Sequence, residues 1–499
     1  MAGLKSLLKD SIVYGTTSIV GRFLNYLLVP LYTFKLQVDT GGYGVITNMY
    51  AFTALLLVIL TYGMETGYFR YATKPGKDPN VVYSTILISV GASSLLFVAL
   101  CALALNPINE FLGYTQHPEF ILMMVIVVAM DSFQCIPFAR LRQQNRALRF
   151  VYAKSLFIVP NILLNLFLFV ACPWLMKHAP ATIDWFYNPD YGAGYAFVAN
   201  LICTSIQMIA LLPELRGFKY RFDRTLWREM LSYSSPMLWL GIAGILNQTV
   251  DKLLFPFLFA DKKEAVVQLG IYGAASKIAM LLAMLTQAFR YAYEPFVFNA
   301  SKEDSKNSHR MYSQAMKYFI IFGILAFLVV MFYLDVIKYI IAPSYWEGLS
   351  VVPIVMGGAL LMGVYFNLSF WYKLSDETRW GAYFSVTGCV VVIALNILLV
   401  PTYGYIASAW AGFVGYAICT ILSYVVGQKK YPIDYDMPTL LRYVLLATAL
   451  YVAGENLEFK YLWVTLFYRT GLLVLFIWYV IRREELGPQL KAALHLSHK

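Results

Sequence analysis

About fourteen apolar runs, each long enough to cross the roughly 30 Å hydrocarbon core as a helix of some 20 residues, follow one another along this chain. They lie near 9–36, 42–69, 80–105, 119–139, 150–176, 191–213, 231–259, 266–298, 314–341, 349–372, 380–400, 404–427, 438–454 and 461–481. No water satisfies a backbone amide inside lipid, so a crossing segment must be a helix or part of a closed barrel, and runs of this length are helices. With 499 residues in all, little sequence remains for a folded domain outside the bilayer. Composition agrees: 60% hydrophobic, 13% charged and a mean hydropathy of +0.62, outside the balance of soluble domains. The expectation is an all-α polytopic membrane protein.

Loop charges give an orientation. With the N-terminus inside, the cytoplasmic segments hold about 26 Lys and Arg, against about 5 on the other face: Lys35, Lys177, Lys262, Lys263 and Lys460. An even number of spans then places both termini in the cytoplasm. The same asymmetry accounts for the net charge of +11, so no nucleic-acid partner is needed, and basic loops ordinarily face anionic lipid headgroups. The opening MAGLKSLLKDSIVYG has no small-residue cleavage site and reads as a retained signal-anchor. Cys101, Cys135, Cys172, Cys203, Cys389 and Cys419 all fall within spans, with no CxxC or Cys/His cluster, so neither disulfides, a metal site nor a cofactor is expected.

An internal repeat sets the architecture. Residues 24–34 read LNYLLVPLYTF and residues 250–260 read VDKLLFPFLFA; Asn25 aligns with Asp251 and Pro30 with Pro256, an offset of 251 − 25 = 226. That offset also lays Tyr43-Gly44-Val45 on Leu269-Gly270-Ile271 without a gap. Six spans plus six, with two appended, follow: an N-lobe over 1–213, a cytoplasmic linker over 214–230, a C-lobe over 231–430, two further spans over 431–482 and a tail over 483–499. The linker is short and basic and is expected along the inner membrane face as an amphipathic segment. No outer loop exceeds about 15 residues, which leaves no room for the acidic catalytic domain of a membrane glycosyltransferase or polymerase. No GxxxxGK[ST] motif is present, so ATP hydrolysis in cis is not expected.

Arg22, Lys252, Lys277 and Arg290 sit inside the apolar runs. A Lys or Arg at a helix centre costs about 2.5–3.5 kcal/mol on insertion scales, a penalty offset by a water-filled cavity, a counter-ion or an anionic substrate. Arg22 either meets such a substrate or pairs with an acid of another span such as Glu65. Asp251 and Lys252 are adjacent and point in different directions on a helix; either at least one of them serves the lumen, or they pair with each other or between lobes. Arg290 and Glu294 have the i,i+4 spacing of an intrahelical pair. Glu65 reads as part of an interfacial cluster with Arg70 or an inner gate. Asp131, with Cys135 on its face, is either an ion-coupling site or a neutral acid bonded across helices. Of the aromatic residues, Tyr26, Tyr291 and Tyr293, together with the amide of Asn25, are candidates to contact sugars, while most of the 38 tyrosines form interfacial belts.

The fourteen spans, the six-plus-six repeat and the opening LLKDSIVYGTTSIVGRFLNYLLVPLYTFKLQVDTGGYGVITNMYAF, with Gly42-Tyr43-Gly44 opening the second span and LGIYGAASKIA echoing it from Leu269, resemble one family. It is that of the Wzx-like oligosaccharide-lipid flippases, the polysaccharide-export branch of the multidrug and oligosaccharidyl-lipid exporter superfamily. The resemblance implies a MATE-like fold of two rocking lobes around a cationic lumen. It also implies an inner-membrane flippase, without enzymatic activity, for a polyprenyl-pyrophosphate-linked oligosaccharide. Arg22, Lys252, Lys277 and Arg290 would then meet the pyrophosphate, and Asp131, Asp251, Glu65 and Glu294 would serve coupling or gating. The partners implied are the lipid-linked glycan and membrane lipids, with a monomeric protein that works beside polysaccharide assembly proteins. Two rivals share the fold, a cation-coupled multidrug exporter and a flippase for the peptidoglycan precursor.

Overall fold

The computed structural model describes residues 21–485 except Arg22, Asn25, 301–304, Asp376 and Glu458; for 288, 290–300, 305–308 and 374 it describes the backbone alone. The secondary structure of the described residues is helical, without a strand. The main helices are α1 (Leu28–Lys35), α2 (Gly42–Thr61), α3 (Met64–Ala72), α4 (Pro79–Leu103), α5 (Pro118–Gln143), α6 (Ala147–Leu166) and α7 (Gly194–Leu211). They continue as α8 (Arg224–Leu254), α9 (Lys262–Ala300), α10 (Ser305–Phe332), α11 (Val352–Leu368), α12 (Arg379–Lys430), α13 (Met437–Asn456) and α14 (Leu462–Arg483).

Eleven helical segments among the described residues are long and apolar enough to cross a membrane. The difference from fourteen runs has three local sources. Half of the run 9–36 lies outside the described residues. Helix α8 is not one of the eleven: Ser232, Ser234, Ser235, Pro236, Asn247 and Gln248 dilute its apolar stretch. Helix α12 counts once although its 52 residues measure about 78 Å, far more than a bilayer core; Gly404 breaks it at φ 57°, ψ −144°.

The chain packs as two compact units: Met1–Ala274 with Gly388–Ala411, and Ala275–Thr387 with Gly412–Lys499. In the first, Tyr62 (φ 33°) and Gly63 (φ 71°) break the second span into α2 and α3. Gly63 is needed there twice over: its φ is left-handed, and a Cβ on it would lie 2.9 Å from the Ser234 carbonyl of α8. Met64, Tyr68, Tyr83, Ile86, Ile136 and Met230 close a core beneath this break.

The repeat has a physical counterpart inside this unit. A Cβ on Gly44 of α2 would fall on the Val266 carbonyl of α9 and 3.0 Å from Gly270 N, and one on Gly273 would lie 2.5 Å from Thr47 Oγ1. The offset of 226 pairs Gly44 with Gly270 and Thr47 with Gly273, so the two helices cross at equivalent residues, as copies related by a two-fold axis do. Small residues let membrane helices approach this closely.

The linker is strapped to the first unit at both ends. Glu214 is 4% exposed; its carboxylate meets Arg146 Nη1 at 2.6 Å and Arg149 Nε at 3.5 Å, and its carbonyl accepts from Arg140 Nη1 and Tyr83 OH. Beyond Gly217, Arg221 N donates to Ser84 Oγ, Asp223 N donates to Thr85 Oγ1, and the Asp223 carboxylate caps α8 by accepting from Thr225 N and Leu226 N. In the second unit, Phe319, Ile324, Phe332, Tyr443, Phe476 and Val480 form a core joining α10, α13 and α14.

Candidate functional site

Helix periodicity brings a set of polar side chains together within the membrane-spanning part of the first unit. Asp131, Gln134, Cys135, Phe138 and Arg142 follow one another at i, i+3, i+4, i+7 and i+11 on α5 and so share a face. Phe150, Lys154 and Phe157 repeat at i, i+4 and i+7 on α6, and the α2–α3 break turns Glu65 toward both. Together with Thr61 and Gln207 these residues line a cavity of about 480 Å³.

Its charges are two acids and two bases. Glu65 and Arg142 form an ion pair through Oε1 and Nη2, and the Arg142 guanidinium also lies 5.1 Å from the centre of the Phe69 ring. Asp131 and Lys154 are electrostatic partners, with the ammonium 4.0 Å over the face of Phe138. Gln134 is 1% exposed; its Nε2 donates to the Thr204 carbonyl at 3.2 Å, while its Oε1 has no partner among the described residues. Nε of Arg142 is buried without an acceptor as well.

A second polar group stands where α8 meets α2 and α9. Lys252 Nζ folds back to Asp251 Oδ2 at 2.7 Å, and Tyr272 OH donates to the same oxygen at 2.7 Å. This is the mutual pairing read as one alternative for these two residues, reached because the long lysine stem bends back to its neighbour. Asp251 Oδ1 is buried without a partner. The Lys252 carbonyl accepts from Asn48 Nδ2, and Asn48 Oδ1 accepts from Tyr114 OH, both at 2.9 Å, which fastens α8 to α2.

Of the other residues read from the sequence, Glu65 pairs with Arg142, and Arg70 lies 4.2 Å over the Tyr233 ring. Tyr26 is 6% exposed, and its buried hydroxyl has no partner among the described residues. Lys277 is half-buried on α9 in the second unit. Arg22 and Asn25 lie outside the described residues, as do the side chains of Arg290, Tyr291, Tyr293 and Glu294. Sequence reasoning missed Arg142, Lys154 and Gln134. The signal was the shared face with Asp131, hidden because Arg142 reads as a loop charge and Lys154 as the edge of a span.

Residues 7–290, more than half of the chain, match the family described as polysaccharide biosynthesis protein. The chain belongs to the polysaccharide biosynthesis protein family. The matched stretch contains both polar groups of the first unit. A Haemophilus influenzae protein described as an uncharacterized membrane protein is 21% identical over 316 residues, 61% of this chain and 69% of its own length. The fold is that of the lipid II flippase MurJ in an inward closed conformation, with a TM-score of 0.73 at 16% identity over 95% of this chain and 99% of that one. It is shared by an inward-facing MATE multidrug resistance transporter of the MOP superfamily, with a TM-score of 0.62 at 12% identity over 81% and 93%. This member of the polysaccharide biosynthesis protein family is therefore a multi-pass membrane protein with the fold that MurJ and the MATE transporter share.

Proposed function

We propose that the protein flips a polyprenyl-pyrophosphate-linked oligosaccharide from the cytoplasmic to the outer leaflet of a bacterial inner membrane, for assembly of a surface polysaccharide. The observation that carries this reading is the family match over 7–290, which takes in the intramembrane charges of the first unit. A pyrophosphate dragged unpaired through hydrocarbon would cost many kcal/mol. Arg and Lys offset that cost with charge-assisted hydrogen bonds, Arg through a fork that takes two phosphate oxygens at once. In this reading Arg22, Lys252, Lys277 and Arg290 hold the pyrophosphate, and Asn25, Tyr26, Tyr291 and Tyr293 contact the glycan. Asp131, Asp251, Glu65 and Glu294 govern coupling or gating, with lobes over 1–213 and 231–430 rocking about the cargo. Both termini are cytoplasmic. An inside-negative potential favours outward movement of the anionic headgroup by about 2.3 kcal/mol per charge per 100 mV.

The likeness to MurJ favours one alternative cargo, lipid II, on the strength of the fold. Proteoliposomes test both. The wild type is expected to flip a fluorescent polyprenyl-pyrophosphate oligosaccharide faster than lipid II, and Arg22→Ala and Lys252→Ala, still folded, to lose at least tenfold in rate. Preference for lipid II moves the cargo to the peptidoglycan precursor. Export of cationic dyes against a sodium or proton gradient, with no lipid movement, overturns the reading in favour of a multidrug exporter.

A further inference from the structure

The cavity beside Asp131 has features that pyrophosphate handling does not use. Its four charged side chains, Glu65, Asp131, Arg142 and Lys154, sum to zero, so it offers no net attraction to a lone cation or a lone phosphate. It presents unused hydrogen-bonding capacity of both kinds: the acceptor Gln134 Oε1 and the donor Arg142 Nε lack partners among the described residues. Asp131 and Lys154 both line it and make no hydrogen bond to the described residues. Phe157, half-buried, lines it as an apolar group among these polar ones, while Phe138 and Phe150 pack edge-on against each other behind the Lys154 ammonium. Its volume of about 480 Å³ is within the range of roughly 300–1,000 Å³ usual for small-molecule sites.

A ligand that suits this lining is neutral overall, carries donors and acceptors close together, and has apolar C–H faces. Those are the properties of a pyranose ring. A bound metal ion or proton would satisfy Asp131 but leave Gln134, Arg142 and Phe157 unexplained. We propose that this cavity is a binding site for one sugar ring, with Asp131 and Gln134 accepting from its hydroxyls, Lys154 and Arg142 donating to its oxygens, and Phe157 packing on its apolar face. The inference rests on the flippase reading for the source of the sugar, which is the glycan of the lipid-linked cargo.

The full chain in nanodiscs tests it. The probes are polyprenyl pyrophosphate alone and the same lipid bearing one hexose, one N-acetylhexosamine, one 6-deoxyhexose or one hexuronic acid, along with the free methyl glycosides of those four sugars. Affinity is measured by native mass spectrometry. Occupancy is read independently from alkylation of Cys135, which lines the cavity and is a free thiol. The expected result is that at least one sugar-bearing lipid binds the wild type tenfold or more tightly than the bare lipid and slows Cys135 alkylation at least fivefold. In Asp131→Asn and Gln134→Leu that tenfold difference collapses. Asp131→Asn keeps the side-chain shape, so its effect separates recognition from misfolding. A sugar-dependent difference that survives both substitutions overturns the proposal while leaving the flippase reading intact. Failure of every lipid-linked and free sugar to protect Cys135 also overturns it. If free glycosides protect Cys135 but no polyprenyl lipid binds, the sugar site stands and the flippase reading fails.

Discussion

A guanidinium enclosed as fully as that of Arg469, 2% exposed on α14, needs acceptors on several sides. It has them: Asp335 Oδ2 at 2.8 Å, Glu455 Oε1 at 3.6 Å, and the carbonyls of Gly454 and Phe332. Asp335 is about a third exposed and also meets Lys338 at 2.9 Å. Burial alone would raise its carboxyl, but Lys338 and Arg469 outweigh that and hold it below its ordinary value of 3.8. Asp335→Asn should destabilise the protein by about 2 kcal/mol, less than the roughly 3–5 kcal/mol of a fully buried broken pair because water reaches Asp335. A carboxyl depressed in the folded state stabilises above its unfolded value and ceases to do so as pH falls through the folded one. The gap in melting temperature between wild type and Asp335→Asn in detergent should therefore be full at neutral pH and close in acid well below pH 3.8. A gap independent of pH would count against the ion pair. At this scale the sequence showed Glu65 as a charge of the second span; it did not show its partner, because pairing of Glu65 with Arg142 joins residues 77 apart.

Helix α2 meets the start of α9 over glycines, and this contact was visible in outline beforehand: the offset of 226 had already aligned Gly44 with Gly270. What the alignment lacked was the information that these copies touch. Gly44→Val would drive a side chain into the Val266 backbone, which cannot yield as a flexible side chain does. Loss of several degrees in melting temperature is expected, whereas Gly76→Ala, at a position with open space around it, should cost far less and only through its left-handed φ of 79°. Equal losses at both would refute a steric account. The break at Tyr62–Gly63 was illegible for a different reason: both residues lie in an apolar run whose helical pattern continues across them, and contact with Ser234 of α8 accompanies the turn. In the linker the cations Arg216, Lys219 and Arg221 are exposed, whereas its anchor, the acid Glu214 with Arg146 and Arg149 gathered on it, carried no signal in the local sequence.

For the molecule as a whole, hydropathy alone gave the fold class, since lipid permits so few backbone solutions. Sidedness is a separate matter and rests on loop charge. Gly217, exposed with open space around it, lies in the basic linker that this charge rule puts inside. With the six native cysteines replaced, Gly217→Cys should react with a membrane-impermeant maleimide in inside-out vesicles and stay unlabelled in intact cells. The converse pattern would invert the topology. The same spot shows what the strap means for the continuity of the chain. Glu214 fixes the polypeptide before Gly217, and Ser84 and Thr85 fix it after, all within one packed unit. The peptide bond between these anchors carries little of the fold, so a gene divided at that codon would still encode two chains whose new ends are each already moored, and foreign sequence spliced in there would hang from two fixed posts.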